Sequence, residues 1–190
     1  MTPEAVLDFW FGALPQGTIT ERRKLWFGKS PQTDSLIRMR FADIHQQARQ
    51  GALGAWLADP RSCLAFVIVT DQLPRNMFRD TPRAFATDGI ALDAARHAVA
   101  NGFDQKLAPV ERAFLYLPFE HSENAADQVQ AVALFDAMRH EPEMQGFYDY
   151  ACAHQRIIER YGRFPHRNRI LGRISSAEEI AFLQQPGSRF

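Results

Sequence analysis

Cysteine is scarce in this sequence, which contains only Cys63 and Cys152. A disulfide framework needs several cysteines at regular spacings, and a structural zinc site needs about four ligands at characteristic spacings, so two separate thiols suit buried packing better than either. Each thiol stands within an apolar pattern of helical spacing, which predicts that both pack in a hydrophobic core.

The chain also lacks an excess of either charge, because 22 lysines and arginines balance 22 aspartates and glutamates. Dedicated binders of nucleic acids or anionic membranes usually carry a broad positive field, so we expect neither kind of partner. Lysine supplies only three of the basic residues. The remaining cations are arginines, whose planar guanidinium suits bidentate contacts with carboxylates or phosphates.

Long hydrophobic runs are missing as well, since no apolar stretch approaches the roughly 20 residues that span a bilayer. The amino-terminal sequence MTPEAVLDFWFG is acidic and aromatic and has no basic start typical of a signal peptide. We therefore expect a soluble, cytoplasmic protein.

What the chain does have is helical periodicity. Its 190 residues, 46% of them hydrophobic, suffice for one sizeable core, which predicts a single domain over residues 1–190. A capping residue followed by proline marks three helix starts, at Thr2, Ser30 and Thr81. Helical patterns with their stop signals then cover residues 31–50, 61–72, 82–100, 109–117, 123–139 and 143–161 and a short helix capped by Ser176 and Glu179. This predicts an all-α fold of about eight helices in antiparallel hairpins.

One segment, LAFVIVTD at residues 64–71, has the composition of a β-strand. No second convincing strand is present to pair with it, and a lone strand would leave its backbone groups without hydrogen bonds. We predict a helix that is buried on nearly all sides.

Three polar side chains interrupt the apolar faces of these helices. His154 lies on the same face as Phe147 and Ile158, so we expect it to point inward. Asp88 lies centrally on the apolar face of the 82–100 helix and should be buried. Asp71 follows an apolar run near a predicted helix C-terminus, where the helix dipole disfavours an anion, so a cation such as Arg75 at i+4 should compensate it.

Polar residues concentrate in three stretches. The first, DQLPRNMFRD at residues 71–80, gathers acids, amides and arginines around Pro74. The second, PFEHSEN at residues 118–124, is predicted as a turn where Pro118 ends one helix and Ser122 or Glu123 begins the next. It places His121 beside carboxylates, a combination suited to acid–base chemistry.

The third stretch, RYGRFPHRNRILGR at residues 160–173, is rich in positive charge. From Arg156 to Arg173 there are six arginines and one acid, Glu159. Such a loop has the groups to hold an anion, and its arginines could equally neutralise buried acids such as Asp71, Asp88 and Glu123.

At these stretches the chain resembles a bacterial family, domain of unknown function 924. The resemblance rests on DQLPRNMFRDTPRAFATD, LYLPFEHSENAADQ and YGRFPHRNRILGR, with VLDFWFG near the start. It extends over nearly the whole chain, with Tyr161 where the family pattern suggests phenylalanine. The resemblance implies a helical fold similar to tetratricopeptide-like arrays and supplies no reaction.

Two functions are compatible with the residues. In the first, a small phosphate or carboxylate compound binds in a pocket where Asp71, His121, His154 and His166 converge, with possible acid–base catalysis. The candidate catalytic residues are His121, His154, Glu123 and Asp71. The candidate ligand-binding residues are Arg75, Arg79, Arg163, His166, Arg167 and Asn168.

The second function is a tetratricopeptide-like module that binds a protein or peptide in a groove, with the polar stretches as internal ties. Neither reading assigns a cofactor. No metal is assigned either, because the i, i+2 spacing of His121 and Glu123 cannot place both on one helix face and is a weak metal signature. Enzyme status and oligomeric state stay open.

Overall fold

The structure, a computed structural model, describes residues 1–12 and 19–188. Within these residues the protein is all-helical and has no β-strand, which confirms the predicted fold class. The α-helices are α1 Pro3–Trp10, α2 Ile19–Phe27, α3 Pro31–Arg49, α4 Pro60–Val67, α5 Leu73–Met77, α6 Asp88–Ala100, α7 Pro109–His121, α8 Ala125–Asp136, α9 Gln145–Tyr161 and α10 Ala177–Leu183.

Several predicted helix ends are confirmed by their capping bonds. The hydroxyls of Thr2 and Ser30 accept backbone N–H bonds at the starts of α1 and α3, and Ser176 and Glu179 form the reciprocal capping box of α10. Gly162 ends α9 with a left-handed φ of 67°, which glycine adopts without a Cβ clash. No helix in the described ranges is both long and apolar enough to cross a membrane.

Two predicted boundaries are wrong. The 82–100 helix is divided into a 3-10 turn, Pro82–Phe85, and α6. The reason is Thr87, whose buried hydroxyl donates to the backbone oxygen of Thr70 at 2.6 Å and whose backbone leaves helical geometry. Asp88 therefore begins α6 instead of lying centrally on its apolar face, and its side chain is 21% exposed rather than buried.

Pro118 does not end a helix, because α7 continues through it to His121. Proline inside a helix removes one backbone hydrogen bond, and the complete burial of the apolar Phe119 side chain just beyond it offsets that loss. The following helix, α8, is capped by Asn124, whose side chain accepts a bond from Ala126 N at 2.8 Å.

The chain forms two compact units, one of residues Met1–Arg79 and Arg83–Pro118 and the other of Asp80–Pro82 and Phe119–Phe190. The single domain and the tetratricopeptide-like arrangement stay predictions. The first unit packs α1 and α6 against α4 and packs α3 against α5. Its core contains fully buried Trp10, Phe41 and Phe114, with the Trp10 and Phe114 rings edge to face at 5.8 Å.

The second unit is built on the packing of α8 against α9, with the rings of Phe135 and Phe147 stacked at 6.1 Å. Further along α9, Ile157 and Ile158 form a small core with Phe164. This core supports the 3-10 turn Pro165–Arg167, which α10 contacts.

The two cysteines differ in burial. Cys63 is fully buried, as predicted, and burial raises the pKa of its thiol to about 11. Cys152 is only half-buried on α9, so the prediction that it packs in the core is wrong. Both thiols are unbonded to any other cysteine.

Candidate functional site

The predicted site residues are divided between the two units. Asp71, Arg75 and Arg79 belong to the first unit. The second unit contains His121, Glu123, His154, Arg163, His166, Arg167 and Asn168.

In the first unit, Asp71 lies within a turn of π-helix, Ile68–Gln72, between α4 and α5. The 64–71 segment is a buried helix, as predicted, and the helical path continues to Met77. Asp71 is thus internal to a helical stretch and does not stand at a C-terminus, which corrects the sequence-based argument from the helix dipole. The predicted partner is confirmed, because Arg75 Nη2 lies 3.4 Å from the fully buried Asp71 carboxylate.

Arg75 also ties α5 to the start of α6. Its two terminal nitrogens donate to the two oxygens of Asp88 at 3.0 and 3.2 Å, a bidentate arrangement. Its Nη1 additionally donates to the Asp71 backbone oxygen at 2.6 Å. One arginine thus connects two of the acids that the sequence suggested arginines would neutralise.

Arg79 has a carboxylate partner as well, Asp34 of α3. Arg79 donates to both oxygens of Asp34 at 2.6 and 2.8 Å, and Asn76 adds a third bond at 2.9 Å. Burial on its own would raise the pKa of Asp34, but these donors outweigh it and hold the pKa below its usual value.

In the second unit, the central pair is His154 of α9 and Glu120 near the end of α7. Both side chains are about 95% buried, and Glu120 Oε1 lies 3.1 Å from His154 Nδ1. The same nitrogen lies 2.9 Å from the Tyr150 backbone oxygen. The prediction that His154 points inward is confirmed.

The pKa of His154 is set by its burial and by neighbouring groups. Burial is the main cause that lowers the pKa of His154 to about 3; the Arg167 cation and the protonated forms of His121 and His166 act in the same direction, while the Tyr150 carbonyl opposes them. The contacts that connect these residues are the Phe164 ring, which lies against His154, His166 and Arg167, and the hydrogen bond from Arg167 to the His121 backbone oxygen.

His166 stands in the 3-10 turn and is also held neutral. Burial and the Arg167 cation lower its pKa to about 3, with Glu123 opposing them. The ring of Phe164 packs against both imidazoles. The distance between ring centroids is 5.3 Å to His154 and 5.6 Å to His166. His154 and His166 therefore lie beside an aromatic ring as well as near the Arg167 cation.

Arg167 is a buried arginine that binds backbone and an aromatic ring. Its Nη1 donates to the His121 backbone oxygen at 3.0 Å, and its guanidinium lies 4.5 Å above the Phe164 ring. Both contacts fix the guanidinium beside the histidines.

Glu123 is occupied by other partners. It accepts the Phe164 backbone N–H at 2.8 Å and a bidentate pair from Arg173 at 2.6 and 2.9 Å. Burial would raise its pKa, but these donors lower it. Asn168 supports the same arginine, since its Oδ1 accepts from Arg173 Nε at 2.9 Å.

Arg163 pairs with the buried Glu179 at 2.7 and 2.8 Å and with the Ile174 backbone oxygen. The hydrogen bond from Arg163, together with the capping bond of Ser176, lowers the pKa of Glu179 to about 2. The loop arginines Arg163 and Arg173 therefore neutralise acids, one of the two roles that the sequence left open for this segment.

The first unit has a separate open groove of about 630 Å³, lined by Asp8, Phe9, Arg22, Leu25, Thr33, Leu36 and Arg40. A groove is the kind of surface that the peptide-binding alternative requires, and that alternative stays a prediction.

Comparison with known proteins places the chain in a family. The family model described as "Bacterial protein of unknown function (DUF924)" matches residues 6–187. The chain belongs to this family. It is similar to the solved "Structure of Protein of Unknown Function ATU0120 from Agrobacterium tumefaciens", with 37% identity over 96% of each chain and a TM-score of 0.83. No curated protein matches it significantly.

In this DUF924 chain, sequence reasoning overlooked Glu120 as a site residue. It was visible in the sequence as part of PFEHSEN but was placed in a turn. Once α7 is continued through Pro118, Glu120 falls four residues after the buried Tyr116 and on its face. In the described part of the chain no set of three or more His, Cys, Asp or Glu side chains is arranged to hold a metal ion.

Proposed function

We propose that the second unit binds a small anionic metabolite, a phosphate or a carboxylate compound, at the cluster of His121, His154, His166 and Arg167. The observation that carries this proposal is that the Phe164 ring lies against His154, His166 and the buried Arg167, that Arg167 binds the His121 carbonyl, and that His154 lies 3.1 Å from Glu120. Imidazole N–H groups and a guanidinium are hydrogen-bond donors suited to anionic oxygens.

The low dielectric of a buried site strengthens attraction between an anion and these donors. Arg167 supplies a permanent positive charge, because guanidinium is not deprotonated in proteins. An anion beside His154 and His166 would favour their protonated forms and raise their pKa values from about 3. Anion binding and proton uptake should therefore be coupled.

The Glu120–His154 pair supports an acid–base role for the same site. Nδ1 lies 2.9 Å from the Tyr150 carbonyl oxygen and 3.1 Å from the Glu120 carboxylate, and these two acceptors fix the tautomer and orient the ring, which leaves the lone pair of the neutral ring on Nε2. A base with a pKa of about 3 is weak, but a bound anion moves that pKa toward the working pH, where proton transfer is most efficient. Proton transfer would thus follow ligand binding.

The proposal is narrower than the set of residues predicted from sequence. Arg75, Arg79 and Arg163 each hold a carboxylate of the protein. We assign to them the role of binding those acids, and to Arg167 and His166 the contact with the ligand. We also propose the cytoplasm as the compartment, supported by the thiols of two cysteines that form no disulfide.

Inorganic phosphate and acetate are the probes, and thermal unfolding is the measurement, since a ligand of the native state raises its stability. We expect phosphate to raise the melting temperature of the wild type and of Arg163→Met, and not that of Arg167→Met. Arg163→Met is the matched control because it removes an arginine from the same loop. An equal response of the two variants, or no response of the wild type to either anion, would refute the proposal.

Arg167 also donates a hydrogen bond to the His121 carbonyl, so a second variant is needed in case Arg167→Met does not fold. His166→Asn keeps a polar side chain and provides a second variant. If it folds and still binds phosphate with the wild-type affinity, His166 is no ligand contact.

A further inference from the structure

The end of α7 is held by side chains from other elements. The last four carbonyls of an α-helix have no partner within the helix and need other donors. Here Gln128 of α8 donates from Nε2 to the Glu120 carbonyl at 2.6 Å and to the Ser122 carbonyl at 2.7 Å. Arg167 supplies the donor for the His121 carbonyl between them.

The side-chain amide of Gln128 can have only one orientation. Its nitrogen faces the carbonyl oxygens of Phe119, Glu120 and Ser122, which accept hydrogen bonds and cannot donate them. Exchange of the amide oxygen and nitrogen would replace these bonds with repulsion between oxygens. The Oε1 atom is buried and has no partner among the described residues.

Gln128 is fully buried on the face of α8 that also bears Ala131 and Phe135. A buried acceptor without a partner costs about 1–3 kcal/mol, so an amide at this place is unfavourable for packing alone. Its hydrogen bonds go to the backbone carbonyls of Phe119, Glu120 and Ser122, which lie on either side of the site residue His121 and include that of Glu120.

We infer that Gln128 is a positioning residue, which clamps the end of α7 so that Glu120 and His121 are presented to His154. This inference rests on the proposed function for its biological meaning, but the clamp itself can be tested without a ligand. The turn after α7 is fixed independently, because Ser122 Oγ donates to Asp127 at 2.7 Å and accepts from Asn124 N. Loss of Gln128 should therefore displace the end of α7 without melting α8.

The test variant is Gln128→Met, which keeps the length of the side chain and removes both polar groups. The imidazole signals of His121 and His154 are followed by ¹H–¹⁵N NMR over a pH series. We expect both sets of signals to move in Gln128→Met, because the Glu120–His154 contact at 3.1 Å loosens.

Two controls separate positioning from simple stability. Gln145→Met removes an exposed glutamine that donates to the Asp149 side chain, and it should leave the histidine signals unchanged. Phe135→Leu removes packing contacts of α8 seven residues after Gln128. It therefore destabilises the protein without removing the hydrogen bonds from Gln128 to the end of α7. If Gln128→Met does not fold, Gln128→Asn retains the amide but is one methylene short and should give a smaller shift of the same signals.

Wild-type histidine signals in a folded Gln128 variant would overturn the inference, whatever its melting temperature. Histidine shifts of the same size in Phe135→Leu would overturn it as well. A phosphate titration of the same samples addresses the proposed function separately. The affinity for phosphate should fall at least about tenfold in Gln128→Met. If the wild type does not bind phosphate, the proposed function is contradicted. The histidine signals then still test whether Gln128 positions the end of α7.

Discussion

Glu120 Oε1 and His154 Nδ1 lie 3.1 Å apart, between the end of α7 and the middle of α9, and both side chains are almost fully buried. This pair joins residues 34 positions apart in the sequence, and it gives the second unit a histidine of defined orientation. The pair thus joins a residue that was predicted from sequence to be buried, His154, with one that was not selected as a site residue, Glu120.

The first prediction concerns the tautomer of His154. Because Nδ1 faces two acceptors, Glu120 and the Tyr150 carbonyl, the neutral ring should carry its proton there between pH 5 and pH 8. Long-range ¹H–¹⁵N NMR of the imidazole checks this directly. A doubly protonated ring at pH 6, or a proton on Nε2 alone, would contradict the geometry.

How much of this was accessible from sequence depended on helix continuity. The burial of His154 followed from helical spacing, since Phe147 and Ile158 share its face. Glu120 was not chosen because proline is usually read as a helix end, whereas here tertiary packing carries α7 past Pro118. The local rule failed where burial of the apolar Phe119 side chain outweighed the lost backbone bond.

The arginines show a second limit. Sequence indicated that Arg75 would compensate Asp71, because i+4 spacing is a local relationship. It could not show that Arg79 meets Asp34 or that Arg173 meets Glu123, since those pairs are 45 and 50 residues apart and are set by tertiary packing. Composition therefore identified a surplus of guanidinium groups in the loop but not which acids they bind.

The second prediction concerns stability in mild acid. Burial, with Arg49 and Arg83 nearby, lowers the pKa of His45 from 6.5 to about 4, and those of His154 and His166 fall to about 3. Below about pH 6.5 the unfolded chain binds protons that the folded one does not, so this stability is complete above that pH and is lost as the pH falls. The stabilising contribution of the carboxylates with lowered pKa values is complete above about pH 4.5 and changes with pH only below that value.

Urea unfolding between pH 6 and pH 5 isolates the histidines. Replacing His45 with Gln should reduce the pH slope of the free energy of unfolding by about 1 kcal/mol per pH unit, because one titrating group is removed. His140→Gln is the control, since that side chain is 74% exposed. Parallel slopes for His45→Gln and the wild type would show that His45 is protonated alike in both states.

The third prediction concerns Glu123 and Arg173. Glu123→Gln keeps an acceptor for the Phe164 N–H but turns an N–H₂ group toward the guanidinium, so it should cost about 1–3 kcal/mol in free energy of unfolding at pH 7. The lowered pKa of Glu123 means that this contribution is complete above about pH 4.5 and disappears as the pH falls below it. The difference between wild type and variant should therefore shrink in acid.

Glu178→Gln is the comparison, because Glu178 forms a similar short contact with Arg160 but is 61% exposed. Solvent screens such a pair, so no measurable loss of stability is expected. If the two variants lose the same stability, the contacts of Glu123 to Arg173 and Phe164 contribute no more than a surface ion pair.

The last prediction concerns Arg75, which serves the buried Asp71 and the half-buried Asp88. Removing one partner of a buried ion pair leaves a carboxylate uncompensated in a region of low dielectric, and Arg75→Met should destabilise the protein by about 3–5 kcal/mol. Arg75→Lys keeps the charge without the planar fork, so it should restore only part of that loss. Arg96→Met removes an exposed arginine paired with Asp93 and should cost less than about 0.5 kcal/mol. Urea unfolding of the three variants measures these differences. If Arg75→Met lowers the free energy of unfolding no more than Arg96→Met does, the Asp71 carboxylate in the π-helical turn is not stabilised by Arg75. The ion pair then contributes nothing to the packing of α4 and α5.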